Sequence, residues 1–153
     1  MQPSTSSIYF ILESQALMIY SYNFKTGLDL FKKELQINMN VDKKKSEDLL
    51  AHIGLSKSGS YNLQEILTPS TKSFVQEVEK SINEIVKKHK LNVTNIYLIN
   101  DAVKIHALDE FISKYFSIPC SQFNIYPYLV KNNIVDFFKD KLGYFSAVIG
   151  ASV

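Results

Sequence analysis

One cysteine, five glycines, four prolines and only a small excess of positive charge mark what this 153-residue chain has little of. The lone Cys120 excludes an internal disulfide framework and suits a reducing compartment. No apolar run approaches the roughly 20 residues that cross a bilayer, and no charged and apolar leader opens the chain. A formal charge of +2 is too small to call for nucleic acid or an anionic membrane as partner. The expected setting is therefore cytosolic. Glycine is missing where it would matter most for a phosphate site. Neither Glu13–Ser14–Gln15 nor Asn100–Asp101, the two polar turns that follow apolar runs, contains one.

What is present is a core. Hydrophobic residues make up 46% of the chain, with ten Phe and nine Tyr, enough for one domain of ordinary size or two very small lobes. Residues 1–153 read as one lobe with a frayed segment at 1–6; if the chain divides, the Ser-rich stretch at 55–62 is the place. The last residues, Gly150–Ala151–Ser152–Val153, carry no helix stop or polar tail, so a piece of a longer protein is expected.

Ser7–Leu12 and Ala16–Asn23 are short runs of β-branched and aromatic residues separated by Glu13–Ser14–Gln15, a β-hairpin by length. Phe24–Gly27 should turn, with Gly27 at positive φ, into a third strand over Leu28–Ile37. There Phe31, Lys33, Leu35 and Ile37 mark one face by alternation. Asp42–Ile53 has helical spacing and stops at Gly54. A long helix starts at Thr68 with Pro69 in its first turn, its stripe formed by Phe74, Val75, Val78, Ile82, Ile85 and Val86. A strand at Asn95–Ile99, a helix at about Ile105–Tyr115, a short strand near Cys120–Phe123, a helix over Asn132–Leu142 and a final strand at Tyr144–Ile149 complete the order β-β-β-α-α-β-α-β-α-β.

Several phrases along this order resemble one family. Phe74–Ile82 (FVQEVEKSI) is similar to the helix written l-x-x-E-I-x-r-S-i in the PilM family of type IV pilus assembly. Ile96–Phe111 (IYLINDAVKIHALDEF) resembles that family's i-x-L-x-G-G-x-a-x-l-x-g-L-x-e-f, with Asn100 and Asp101 in place of the glycine pair. Tyr115–Pro119 and Phe145–Gly150 look like its l-g-i-P and a-v-A-i-G-L phrases. The cytoplasmic regions of GspL-type and bundle-forming-pilus bitopic proteins share the same lobe. The resemblance implies an α/β, ribonuclease H-like (actin-like ATPase) lobe: a mixed sheet with a three-stranded antiparallel meander and flanking helices. It also implies a place on the cytoplasmic side of the bacterial inner membrane, with membrane association only through a segment outside this chain. Its partners would be a secretion or pilus assembly ATPase and inner-membrane platform proteins, without nucleic acid.

A working actin-like site surrounds phosphates with backbone N–H groups from small residues, and a carboxylate positions a metal-bound water. Here Glu13 and Ser14 occupy the first phosphate turn, and Asn100 and Asp101 the adenine-side turn. Glu13 would place negative charge beside a phosphate. These degenerate positions lead to the expectation of a non-catalytic scaffold with no cofactor, Asn100 and Asp101 serving as a turn and helix cap. The rival reading is a nucleotide-binding protein whose site is completed by a second lobe. A ribonuclease H-like nuclease would need clustered carboxylates, for which Glu13 and Asp101 are the only candidates. His52, His89 and His106 lack partners at metal-ligand spacing. The aromatic tract Phe116, Phe123, Tyr126, Tyr128, Phe137, Phe138, Tyr144 and Phe145 is expected to be mostly core. Tyr126 and Tyr128 sit in a loop and are candidate partner contacts, together with the basic cluster Lys87, Lys88 and Lys90.

Overall fold

The computed structural model describes residues 5–15, 17–56, 63–99, 104–139 and 141–142, without the Glu13 side chain. Two strands open the fold, β1 (Ser6–Leu12) and β2 (Leu17–Phe24), paired antiparallel across a single 3-10 turn at Glu13–Gln15. The register runs from Ser6 opposite Phe24 to Leu12 opposite Leu17, with one irregularity between Phe10 and Ile11 that leaves Ile19 unopposed. A bulge of this kind sharpens the local twist of the ribbon.

No third strand follows. The residues expected to complete a meander form α1 (Leu28–Met39), a three-turn helix. Leu28, Phe31, Leu35 and Met39 recur at helical spacing and face the core, whereas Ile37 is 69% exposed. Phe31 and Leu35 also fit a two-residue alternation, which is why the strand reading was available. Gly27 does not turn the chain through positive φ; it is the extended N-cap of α1, at φ −136° and ψ −174°.

The next helix, α2 (Lys43–His52), packs on α1. Asp42 caps it by accepting from the Lys45 amide at 2.7 Å, and Lys32 on α1 bridges Asp29 (2.7 Å) and Glu47 (3.4 Å) on α2. A short helix α3 (Leu63–Ile66) leads into α4 (Thr68–His89), with Pro69 in the first turn as expected. The buried stripe of α4 runs through Phe74, Val75, Val78 and Ile85, while Val86 is partly exposed. Then β3 (Ile96–Leu98), α5 (Leu108–Phe116) and β4 (Cys120–Gln122) form a parallel βαβ unit, Ile96 lying opposite Cys120 and Leu98 opposite Gln122. A short α6 (Asn133–Phe137) lies within the stretch expected to be helical to Leu142. The expected strand at Tyr144–Ile149 lies outside the described residues, as does most of the proposed divide at 55–62.

The architecture is thus mixed α/β, with two separate two-stranded sheets among the described residues, β1–β2 and β3–β4. One apolar cluster unites them: Phe24 from the ribbon, Phe31 and Leu35 from α1, Leu49 and Leu50 from α2, Phe74 and Val78 from α4, and Leu98, Leu108 and Ile112 from the βαβ unit. At roughly 1.5–3 kcal/mol per fully buried aliphatic or aromatic side chain, this cluster is the main source of stability.

The two halves of that cluster meet at Gly54, which follows α2 in the left-handed region at φ +49°. Its amide donates to Leu49 O at 2.9 Å, closing the helix end. The His106 backbone crosses directly over it. A Cβ added at Gly54 would stand 2.7 Å from the His106 amide nitrogen and nearer still to its carbonyl oxygen. Gly54→Ala is therefore expected to cost at least about 2 kcal/mol in urea unfolding, from the left-handed backbone plus the clash. A loss under about 0.5 kcal/mol would show that the two segments separate freely.

Candidate docking surface

The βαβ unit positions everything that follows it. The Phe123 amide donates to Leu98 O at 2.9 Å and extends the β3–β4 ladder by one step. The Asn124 side chain then accepts from the Tyr126 amide at 3.0 Å, starting a 3-10 turn over Tyr126–Tyr128 that contains Pro127. Asn132 caps α6 by accepting from the Ile134 and Val135 amides at 3.0 and 2.9 Å. Tyr126 joins these turns: its hydroxyl donates to Asp136 Oδ1 at 2.8 Å, and Lys131 and Lys139 lie 5.6 and 5.0 Å from its ring centroid. The bond to Asp136 raises the Tyr126 phenol above its ordinary pKa.

With the polar contacts gathered on Tyr126, the apolar side chains are left outside. Tyr128 is 78% exposed, Val130 84%, Ile134 70% and Phe137 81%. Tyr128 stacks on Phe123 at 6.4 Å with 7° between the planes, and Phe123 meets the half-exposed Tyr97 edge-on at 5.9 Å. An aromatic strip thus runs from β3 out to the 3-10 turn. Tyr128, Val130, Ile134 and Phe137 all fall within residues 128–137, and exposed aromatic and aliphatic side chains gathered on one stretch of chain favour a protein interface.

The expected sites are distributed unevenly around this surface. Tyr126 and Tyr128 belong to it, Tyr126 as its half-buried organiser and Tyr128 as an exposed face. Lys87 and Lys88 instead occupy the last turn of α4, where they complement the helix dipole, and Lys90 is its left-handed cap at φ 54°, donating to Val86 O at 3.0 Å. Among the described residues no hydrogen bond, ion pair or ring contact joins those lysines to Tyr126 or Tyr128. Ser14 is exposed in the hairpin turn and Glu13 contributes backbone there. Asn100 and Asp101 lie outside the described residues. The expectation of core burial fails for Phe137 and Phe138, since α6 is too short to fold both against the domain. Val130 and Ile134 were missed altogether; their spacing around the polar pair Asn132–Asn133 was the only signal. Cys120 is half-buried against the core, and loss of hydration, with the charge of Asp109, pushes its thiol up to about 11.

Elsewhere in the fold, tyrosines fasten the ribbon to α4. Tyr20 donates to Glu84 at 2.8 Å, Tyr22 donates to Glu77 at 3.2 Å, and Lys80 lies 5.6 Å from the Tyr22 ring centroid. Residues 77, 80 and 84 share one helix face.

Comparison with known proteins isolates the fold. No family model matches the chain, and no curated protein matches it. A chain of a solved PilM-PilN type IV pilus biogenesis complex superposes on it with a TM-score of 0.79, over 95% of the present chain and at 12% identity. The two share a fold. The match takes in 41% of the solved chain, so the present chain spans about two fifths of that length. Among the described residues no helix is long and apolar enough to cross a membrane.

The Tyr20 tether carries a pH signature. The bond to Glu84 pushes the phenol up to about 12, so the protonated form is the one the fold stabilises. Its contribution is complete below the ordinary tyrosine pKa of about 10 and is lost as pH rises through about 12. Tyr20→Phe should lower stability near neutral pH by under about 1 kcal/mol, the site being open to solvent, with the gap to wild type closing above about pH 10. Thermal melts of both proteins between about pH 8 and 12 read this directly. A gap that stays constant across the range would place the effect elsewhere.

Proposed function

We propose that this chain is a non-catalytic docking domain of a type IV pilus or type II secretion assembly platform. It would receive the assembly ATPase and inner-membrane platform proteins on the cytoplasmic face of the membrane. The observation that carries the reading is the exposed strip of Tyr128, Val130, Ile134 and Phe137, on a fold shared with a chain of a pilus biogenesis complex. Apolar side chains open to water on one short stretch of chain favour a partner that covers them, and aromatic anchors are the side chains that dominate such interfaces. The glycine-free turn at Glu13–Gln15 supports the non-catalytic part, since a carboxylate-bearing turn without glycine is a poor phosphate cradle. Binding energy would then come from surface complementarity, and chemistry would reside in the partner.

The test is interferometry between this chain and the cognate assembly ATPase. Wild type should bind, and Tyr128→Ala with Phe137→Ala should weaken binding at least about tenfold, as expected when two aromatic anchors are truncated. Lys87→Ala should change affinity by less than about threefold, because a rim charge contributes little. No binding by the wild-type chain, or equal binding by the double variant, would remove the strip from this role.

A further inference from the structure

The β1–β2 ribbon holds a second surface, built from other residues than the aromatic strip and independent of the reading above. Neither strand contains a charged residue, a proline or a glycine. Among the described residues the sheet has two strands, and both outer edges present backbone N–H and C=O groups without a strand partner there. Edges of soluble proteins are ordinarily protected by charge, proline or bulges, and an edge without them is a template for a further strand. The two edges differ. β2 is interrupted at Ile19, whereas β1 continues unbroken from Ser6 to Leu12 and alternates cleanly between exposed Ser7, Tyr9 and Ile11 and half-buried Ile8, Phe10 and Leu12. The inner face is held on α4, as Phe24 packs on Phe74 at 5.5 Å. The outer face is apolar near the tip, with Tyr9 52%, Ile11 61% and, opposite Ile11, Met18 57% exposed.

We propose that β1 pairs antiparallel with β1 of a second copy of this chain, joining two ribbons into one four-stranded sheet. A two-fold axis at Tyr9 sets Tyr9 against Tyr9 and Ser7 against Ile11, so inward residues remain inward in both copies. The self-pairing is favoured by the absence of charge: nothing on β1 or β2 repels its own image, and a charged partner would find no complement there. Seven residues span about 23 Å of edge. Such a contact buries on the order of 1,000 Å², at the low end of specific interfaces, so the dimer is reversible with a dissociation constant on the order of tens of micromolar.

The experiment is sedimentation velocity of the full chain from about 5 to 500 µM, a range that brackets this constant, paired with hydrogen exchange at both extremes. Wild type should shift from monomer to dimer, with the Ser7–Ile11 amides gaining protection as concentration rises. Ile11→Lys, which puts on the pairing edge the kind of charge that soluble proteins use to block a further strand, should weaken the dimer at least about tenfold, while Phe137→Lys leaves it unchanged. Ile11 is largely exposed, so the variant should melt like wild type; if it does not, the wild-type exchange data decide alone. A chain monomeric throughout with unchanged β1 exchange overturns the proposal. So does a dimer that Phe137→Lys dissolves and Ile11→Lys leaves intact, or open-ended assembly in place of a closed pair.

Discussion

The structure depends on a backbone-on-backbone contact, where Gly54 passes under His106 with no room for a Cβ. His106 accepts the Leu55 amide and donates its own to Leu50 O, both at 2.9 Å, so two hydrogen bonds fasten the end of α2 to the connection between β3 and α5. Only a residue without Cβ fits beneath it. The consequence is long-range. Ile105 and Leu108 are carried into the same cluster as Leu50 and Leu55, which joins the helical half of the chain to the βαβ half. The orientation of β3 and β4, and hence of the turns built after them, follows from that junction.

From this centre the molecule extends two apolar surfaces in different ways. The ribbon is a marginal element by itself, since two strands without further support are barely stable in water. It is secured on one face by Phe24 against Phe74 and by the Tyr20 and Tyr22 bonds to α4, and its other face remains open. The region after β4 is organised by polar contacts instead. Asn124, Asn132 and Asp136 hold the backbone turns and Tyr126, which leaves aromatic and aliphatic side chains to the solvent. Both arrangements present apolar area without burying it, and that common feature underlies the reading of the chain as a docking module.

Legibility followed the strength of local chemistry. The start of α4 at Thr68–Pro69 and the end of α2 at Gly54 were readable because proline and glycine act through backbone constraints that packing seldom overrides. The strands β3 and β4 were recognisable from the apolar run around Ile96–Leu98 and from the short segment that follows Pro119, on either side of a helical pattern. The stretch after Gly27 was not, because Phe31 and Leu35 satisfy both the two-residue and the helical period. The decision rested on Leu28 and Met39, which only the helix brings to the same face. Phe137 was misjudged on composition: large aromatics are usually core, and nothing local reveals that α6 ends before it can fold inward. The aromatic strip was half legible, through Tyr126 and Tyr128. Its remainder depends on tertiary contacts, above all the Tyr126–Asp136 bond.

The central claim is that a fold shared with a pilus-complex chain serves here as a surface for proteins and not as a nucleotide site. Calorimetric titration of the chain with Mg-ATP addresses it most directly. The account predicts no binding heat up to millimolar nucleotide, in keeping with a first turn that offers Glu13 and Ser14 and no glycine. Binding in the micromolar range would contradict it, and would show that backbone groups elsewhere in the chain assemble a phosphate site despite that turn.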